Sequence, residues 1–130
     1  MQMIELTTRQ FSDLISDKLE ELEEETSLEN PTTESKFPCR TINTPLERIL
    51  KTRNAIPIAK QFQITISCWN KTQRATMEMA TKTDEKLREY NLIRTSTSPI
   101  TFDRIIQKYR IITTYEVRWN GLTNSFEVIR

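Results

Sequence analysis

An α+β fold, a mostly antiparallel sheet of four to five strands with helices packed on one face, is the class this sequence predicts. Three observations predict it. Gln61–Trp69 alternates apolar and polar residues at period two. Arg104–Asn120 runs without a breaker, is rich in β-branched residues and ends on Asn120-Gly121. Thr8–Glu25 and Lys71–Tyr90 instead repeat apolar residues every three or four positions. Long strands joined by turns, with helices kept apart from them, pack as a sheet covered by helices. The 130 residues are one domain's length. They divide into an acidic N-terminal helix (8–25), a loop-rich segment (26–60) and a strand–helix–hairpin core (61–130).

In chain order, the first helix carries Phe11, Leu14, Ile15, Leu19 and Leu22 on one stripe, with Thr7 or Thr8 to cap its start. Its acids crowd the C-terminal end, where the helix dipole disfavours them, so that end frays. Thr26–Pro38 is rich in Thr, Glu, Ser, Asn and Pro and reads as a loop. Phe37–Asn43 reads as a short strand with Pro38 at its start, where a missing N–H does least harm. Leu46–Lys51 fits a strand or a helical turn, and Thr52–Ala59 an exposed loop or edge segment. In the Gln61–Trp69 strand, Phe62, Ile64, Ile66 and Cys68 share one face. Asn70 can cap the second helix, in which Met79, Thr83, Leu87 and Tyr90 line a face beside Ala75, Thr76 and Ala80. Asn91–Thr95 starts a strand and Ser96–Thr101 is a loop. The long strand then places Tyr109, Ile111, Thr113, Tyr115, Val117 and Trp119 on a buried face. Lys108, Arg110, Ile112, Thr114, Glu116 and Arg118 fall on the other. Asn120-Gly121 is a two-residue hairpin signal, returning through Phe126, Val128 and Arg130.

Composition excludes more than it identifies. There is no histidine, which removes triads, imidazole metal sites and imidazole acid–base roles. A single glycine rules out a glycine-rich phosphate loop. Cys39 and Cys68 stand far apart, form no CxxC pair and read as small buried thiols. No apolar run approaches the roughly 18 residues of a membrane-spanning helix, and the start lacks a signal-peptide pattern. Neighbouring glutamates such as Glu23, Glu24 and Glu25 point to different sides of a helix and make a solvated face rather than a cation site. These exclusions point away from an enzyme, and no cofactor or metal is expected. Net charge is +1, but residues 1–30 hold nine acids against two bases, while residues 31–130 hold 17 bases against nine acids. Opposed charges on two parts of one chain invite contact within a subunit or between copies. Scattered bases argue against sequence-specific nucleic-acid reading.

Ile64-Thr65-Ile66-Ser67-Cys68-Trp69, then Thr72, Arg74-Ala75, Met79 and Leu87, then Leu92-Ile93-Arg94, a loop and a long strand, form a recognisable order of elements. Over about Phe62–Arg118 this resembles the tail terminator (tail completion) and neck proteins of long-tailed bacteriophages. The resemblance implies a small α+β subunit in a homo-oligomeric ring, commonly a hexamer. Such a ring caps the tail tube and joins it to the head connector. Its partners are then the tail tube protein and the connector, DNA passes through the ring, and the location is the virion, or the host cytoplasm during assembly. No catalytic residues come with it. Alternatives are a head–tail connector or other minor virion protein, or a small nucleic-acid-binding module using the basic body. Interface or lumen candidates are Arg74 and Arg94 flanking the central helix, Arg110 and Arg118 on the long strand, and the acidic Glu20, Glu21 and Glu24.

Overall fold

The computed structural model describes residues 5–129 of the chain. In order, its elements are α1 (Thr8–Leu19), β1 (Glu25–Ser27), β2 (Cys39–Ile42), β3 (Leu46–Arg53), β4 (Ile56–Asn70) and α2 (Gln73–Arg88). There follow β5 (Ile93–Thr97), β6 (Thr101–Asp103), β7 (Lys108–Asn120) and β8 (Ser125–Glu127). The α+β class is as predicted, but the sheet has eight strands rather than four or five. Long β4 and β7 pair antiparallel from Ala59↔Asn120 to Asn70↔Tyr109 and form the spine. Short strands finish each side: β3 and then β2 pair along the free edge of β4, and β8, β5 and β6 along that of β7. β1 extends β2 in parallel. The extra strands are short, polar or edge-exposed, so they carry little hydrophobic period for a sequence to display.

Both helices cover one face. Phe62, Ile64, Ile66 and Cys68 of β4, with Ile111, Tyr115 and Val117 of β7, meet Phe11, Ile15 and Leu19 of α1 and Met79, Ala80 and Leu87 of α2 in one core. Phe11 lies flat on Phe62, ring centroids 4.3 Å apart and planes within 6°. Thr7 caps α1 in a reciprocal box. Its hydroxyl accepts from the Gln10 N–H, and the Gln10 side-chain carbonyl accepts from the Thr7 N–H.

Several boundaries differ from the expectations. α1 stops at Leu19, not Glu25: two tight turns follow, Glu21 N–H to Lys18 and Leu22 N–H to Leu19, and Glu25 joins a sheet edge. The run of glutamates opposes the negative helix end, which favours leaving the helix early. α2 is capped by Thr72, whose hydroxyl accepts from Ala75 N–H, and not by Asn70, which turns back onto Lys71 N–H. Within the loop-rich segment 26–60, the short strand expected over Phe37–Asn43 is β2, Leu46–Lys51 is strand rather than helical turn as part of β3, and the expected loop or edge 52–59 holds the β3–β4 hairpin and the start of β4. The two-residue hairpin is at Asn54-Ala55, between the Arg53↔Ile56 pair, and both residues have positive φ (52° and 65°). That is the signature of a primed turn. Asn120-Gly121 is not such a turn: β7 and β8 join through the four residues 121–124, with Asn124 at φ 51°. Gly121 is buried and donates its N–H to the Ile58 carbonyl at 2.6 Å, extending the β4–β7 ladder. β5 runs to Thr97, into the loop expected over 96–101, β6 starts at Thr101, and β7 begins at Lys108 because residues 104–107 turn, Gln107 at φ 62°. Arg130, expected in the last strand, lies outside the described residues.

Candidate functional site

Both cysteines are buried. Cys39 and Cys68 are free thiols on adjacent strands. Cys39 opposes Trp69 and Arg40 opposes Cys68, so alternation puts the two sulfurs on opposite faces of the sheet. Burial pushes the Cys39 thiol up to about 11 and raises that of Cys68 as well. Among the described residues no three His, Cys, Asp or Glu side chains gather to hold a metal ion. No helix among them is long and apolar enough to cross a membrane. The surface hollows are shallow. One of about 380 Å³ is lined by Glu20, Leu22, Glu23, Glu24, Glu25 and Thr26.

The interface candidates scatter. Arg74 is exposed at the start of α2 and pairs loosely with Glu78 at 3.5 Å. Arg94 reaches Asp84 at 3.8 Å from β5, and Arg88 also binds Asp84. Arg110 lies over the Trp69 ring, 5.0 Å from its centre, on the sheet face turned away from the helices. The Trp69 indole N–H donates to the Thr41 hydroxyl at 3.2 Å, so this buried tryptophan is structurally satisfied. Arg118 is exposed on that same face, across from Gln61 and Glu127. Glu21 binds Lys86 at 3.0 Å and Glu24 binds Arg40 at 3.1 Å, while Glu20 caps the end of α1 in solvent. The glutamates are neighbours in one segment; the four arginines are not brought together.

Two buried cations went unrecognised in the sequence. Arg40, fully buried, donates to the Thr83 hydroxyl at 2.6 Å and to both the backbone carbonyl and the carboxylate of Glu24. Lys60, also fully buried, donates to Glu5, Glu47 and the Leu6 carbonyl at 2.9–3.0 Å. Lys60 had a signal: it continues the Ile58, Phe62, Ile64 face at period two, so alternation alone places it inside. Arg40 had none, because all four residues of β2 are buried and no face stands out.

The Lys60 cluster makes stability depend on pH at both ends. The hydrogen bond from Lys60, then that from Thr8, holds the Glu47 carboxyl below its ordinary value against the cost of burial. Burial alone would lower Lys60, but hydrogen bonds and charge from Glu47 and Glu5 outweigh it and leave the ammonium raised. Glu47 therefore contributes stability above its ordinary value of 4.5, lost as pH falls through its lower folded value. Lys60 contributes below its ordinary 10.5, lost as pH rises through its higher folded value. Lys60→Gln should lower the melting temperature across the neutral range, and its deficit should shrink below pH 4.5. Melting curves that stay parallel down to pH 2 would show that Glu47 draws nothing from Lys60.

No family model matches the chain, and a search of curated proteins finds no relative.

Proposed function

We propose that the chain is a structural, ring-forming subunit of a long-tailed phage, a tail terminator that caps the tail tube and joins it to the head connector. The observation that carries this reading is the β3–β4 hairpin. Its turn end extends past the last β4–β7 pair, Ala59↔Asn120. β3 pairs only with β4 among the described residues, leaving its outer edge open, and Leu46, Ile49 and Ile56 are exposed along the hairpin. Such an open edge mixes exposed apolar residues with Arg48, Lys51 and Arg53, which turn away random strand pairing but leave it available to a chain that answers its charge. The strand–helix–long strand order of the resemblance supports the same reading. The internal ion clusters at Arg40 and Lys60 tie the loop-rich segment and the N-terminal residues to the sheet, which gives an assembly subunit a rigid body. Its partners are copies of itself, the tail tube protein and the connector, and DNA passes through the ring without being read.

Light scattering behind size exclusion, at low and high salt and with or without tail tube protein, tests this. The expected species is discrete, near six times the 15.4 kDa subunit. A persistent monomer that ignores tail tubes but binds duplex DNA, with affinity falling steeply with salt, would replace it by the nucleic-acid reading.

A further inference from the structure

The ring reading leaves open which surfaces meet, and two features at opposite ends of one sheet edge answer it. At one end is the hairpin turn. Arg48, Lys51 and Arg53 are exposed there, and none takes part in an ion pair among the described residues. The one acid of β3, Glu47, is committed to Lys60. Exposed Ile49 lies between Arg48 and Lys51, and exposed Ile56 pairs with Arg53 across the turn. At the other end is the segment after α1. Glu25 aligns with Cys39, which aligns with Trp69 at the far end of β4. Residues 20–29 contain six glutamates and no base. Two are used internally, Glu21 by Lys86 and Glu24 by Arg40. Glu20, Glu23, Glu25 and Glu29 stay exposed and unpaired among the described residues, with Leu28 half-exposed beside them. From Ile56 to Trp69 along β4 the two ends lie roughly 40 Å apart at strand rise, so one subunit does not bring them together.

Resting on the ring reading, we infer that the β3–β4 hairpin of one subunit docks head-to-tail on the acidic 20–29 segment of a second copy. Lys51 and Arg53 meet Glu23 and Glu25, and Ile49 and Ile56 cover Leu28. The surfaces differ, so the contact is heterologous, the type that closes into a ring or propagates as a filament. Charge on the edge strand turns away random strand pairing. Here it also selects the acidic partner and steers its approach.

The experiment is charge reversal with exchange. One chain carries Lys51→Glu and Arg53→Glu; the other carries Glu23→Lys and Glu25→Lys. All four side chains are exposed and lie outside the internal ion pairs, so both chains should fold, with melting temperatures near that of the wild type. Each alone presents like charges at both ends and should run at the 15.4 kDa subunit mass where the wild type is oligomeric, with self-association weakened at least about tenfold. Mixed in equal amounts, the two should assemble in alternation and regain the oligomer. Ile49→Asp in the wild-type chain should weaken assembly as well, without restoration on mixing. Reversed chains that still oligomerise, or a mixture that stays monomeric, would overturn this contact while leaving the ring reading intact. A wild type that is monomeric alone and on tail tubes would overturn both, and the wild-type arm tells the two failures apart.

Discussion

Arg40→Ala is expected to destabilise the subunit by about 3–5 kcal/mol, the usual cost of removing one partner from a buried ion pair. For a chain of this size that lowers the melting temperature by about 10–20 °C. The reason is the number of acceptors that converge on one guanidinium. Its Nε donates to Thr83 in α2, and its terminal nitrogens donate to the carbonyl and carboxylate of Glu24, between α1 and β1. Arg40 itself sits on β2, so one side chain fastens a helix, the sheet and the acidic segment together. Alanine leaves a cavity beside Cys68 and a Glu24 carboxylate that is nearly buried, with a side-chain exposure of 11%. Arg40→Met should cost less, because it fills the space, and Glu24 lies outside regular structure, from which it can turn to water. Arg40→Lys keeps the charge, but its single nitrogen replaces three that serve Thr83, the Glu24 carbonyl and the Glu24 carboxylate separately, so it should fall between wild type and alanine. Thr83→Val removes the hydroxyl that accepts from Arg40 Nε and donates to the Met79 carbonyl, an acceptor already inside the α2 helix, and should cost about 1–2 kcal/mol. Denaturant unfolding of these four variants checks the order. An Arg40→Ala protein within 1 kcal/mol of wild type would mean the guanidinium is no clamp.

How far the sequence carried the fold depends on how much apolar period each element shows. Phe62, Ile64, Ile66 and Cys68 alternate cleanly, and so do Ile111, Thr113, Tyr115 and Val117; the structure buries all of them. α1 buries Phe11, Ile15 and Leu19 of its predicted stripe and α2 buries Thr76, Met79, Ala80, Thr83 and Leu87 of its own, while Leu14, Leu22, Ala75 and Tyr90 stay half-buried at the margin. β1 is Glu-Thr-Ser, polar throughout and held only by its neighbour, so no local signal marks it. β3 is exposed along nearly its whole length, which is why Leu46–Lys51 fits two readings in sequence. The turns fail for a different reason. Asn120-Gly121 has the ideal residues for a two-residue hairpin, yet the ladder bond from Gly121 to Ile58 continues past them. Ala55 accepts positive φ because β3 and β4 are paired on both sides of it. Tertiary pairing overrides local preference at both places. The candidate surface was half legible. The charge asymmetry is plain in the sequence, but only the register shows that its acidic pole and the basic hairpin lie at opposite ends of one edge.

Phe11→Ala carries the other large expected loss, about 3–5 kcal/mol for a fully buried phenylalanine. Phe11 is the contact through which α1 grips two separate strands. Its ring stacks on Phe62 of β4 and meets the Phe126 edge of β8 at 5.8 Å, and Phe126 in turn packs on Trp119 at 5.1 Å. β8 is three residues long and pairs with β7 alone, so these aromatic contacts supply much of what holds it. The loss should therefore be uneven. Amide exchange in 125–127 should quicken more than exchange in the β4–β7 spine, whose long register stands without α1. Phe11→Leu keeps most of the apolar volume and should cost about 1–2 kcal/mol. A double-mutant cycle between Phe11 and Phe62 should return a coupling of about 0.5–1.5 kcal/mol from the stacked pair. Uniform acceleration of exchange, or no coupling in the cycle, would mean that the stacked pair holds nothing beyond its area. The consequence reaches assembly, because α1 ends where the acidic segment starts. A chain in which Phe11→Ala loosens α1 presents Glu23 and Glu25 on a mobile support. Its assembly should then weaken at temperatures where the spine is still folded, which separates anchoring of the acidic surface from global unfolding.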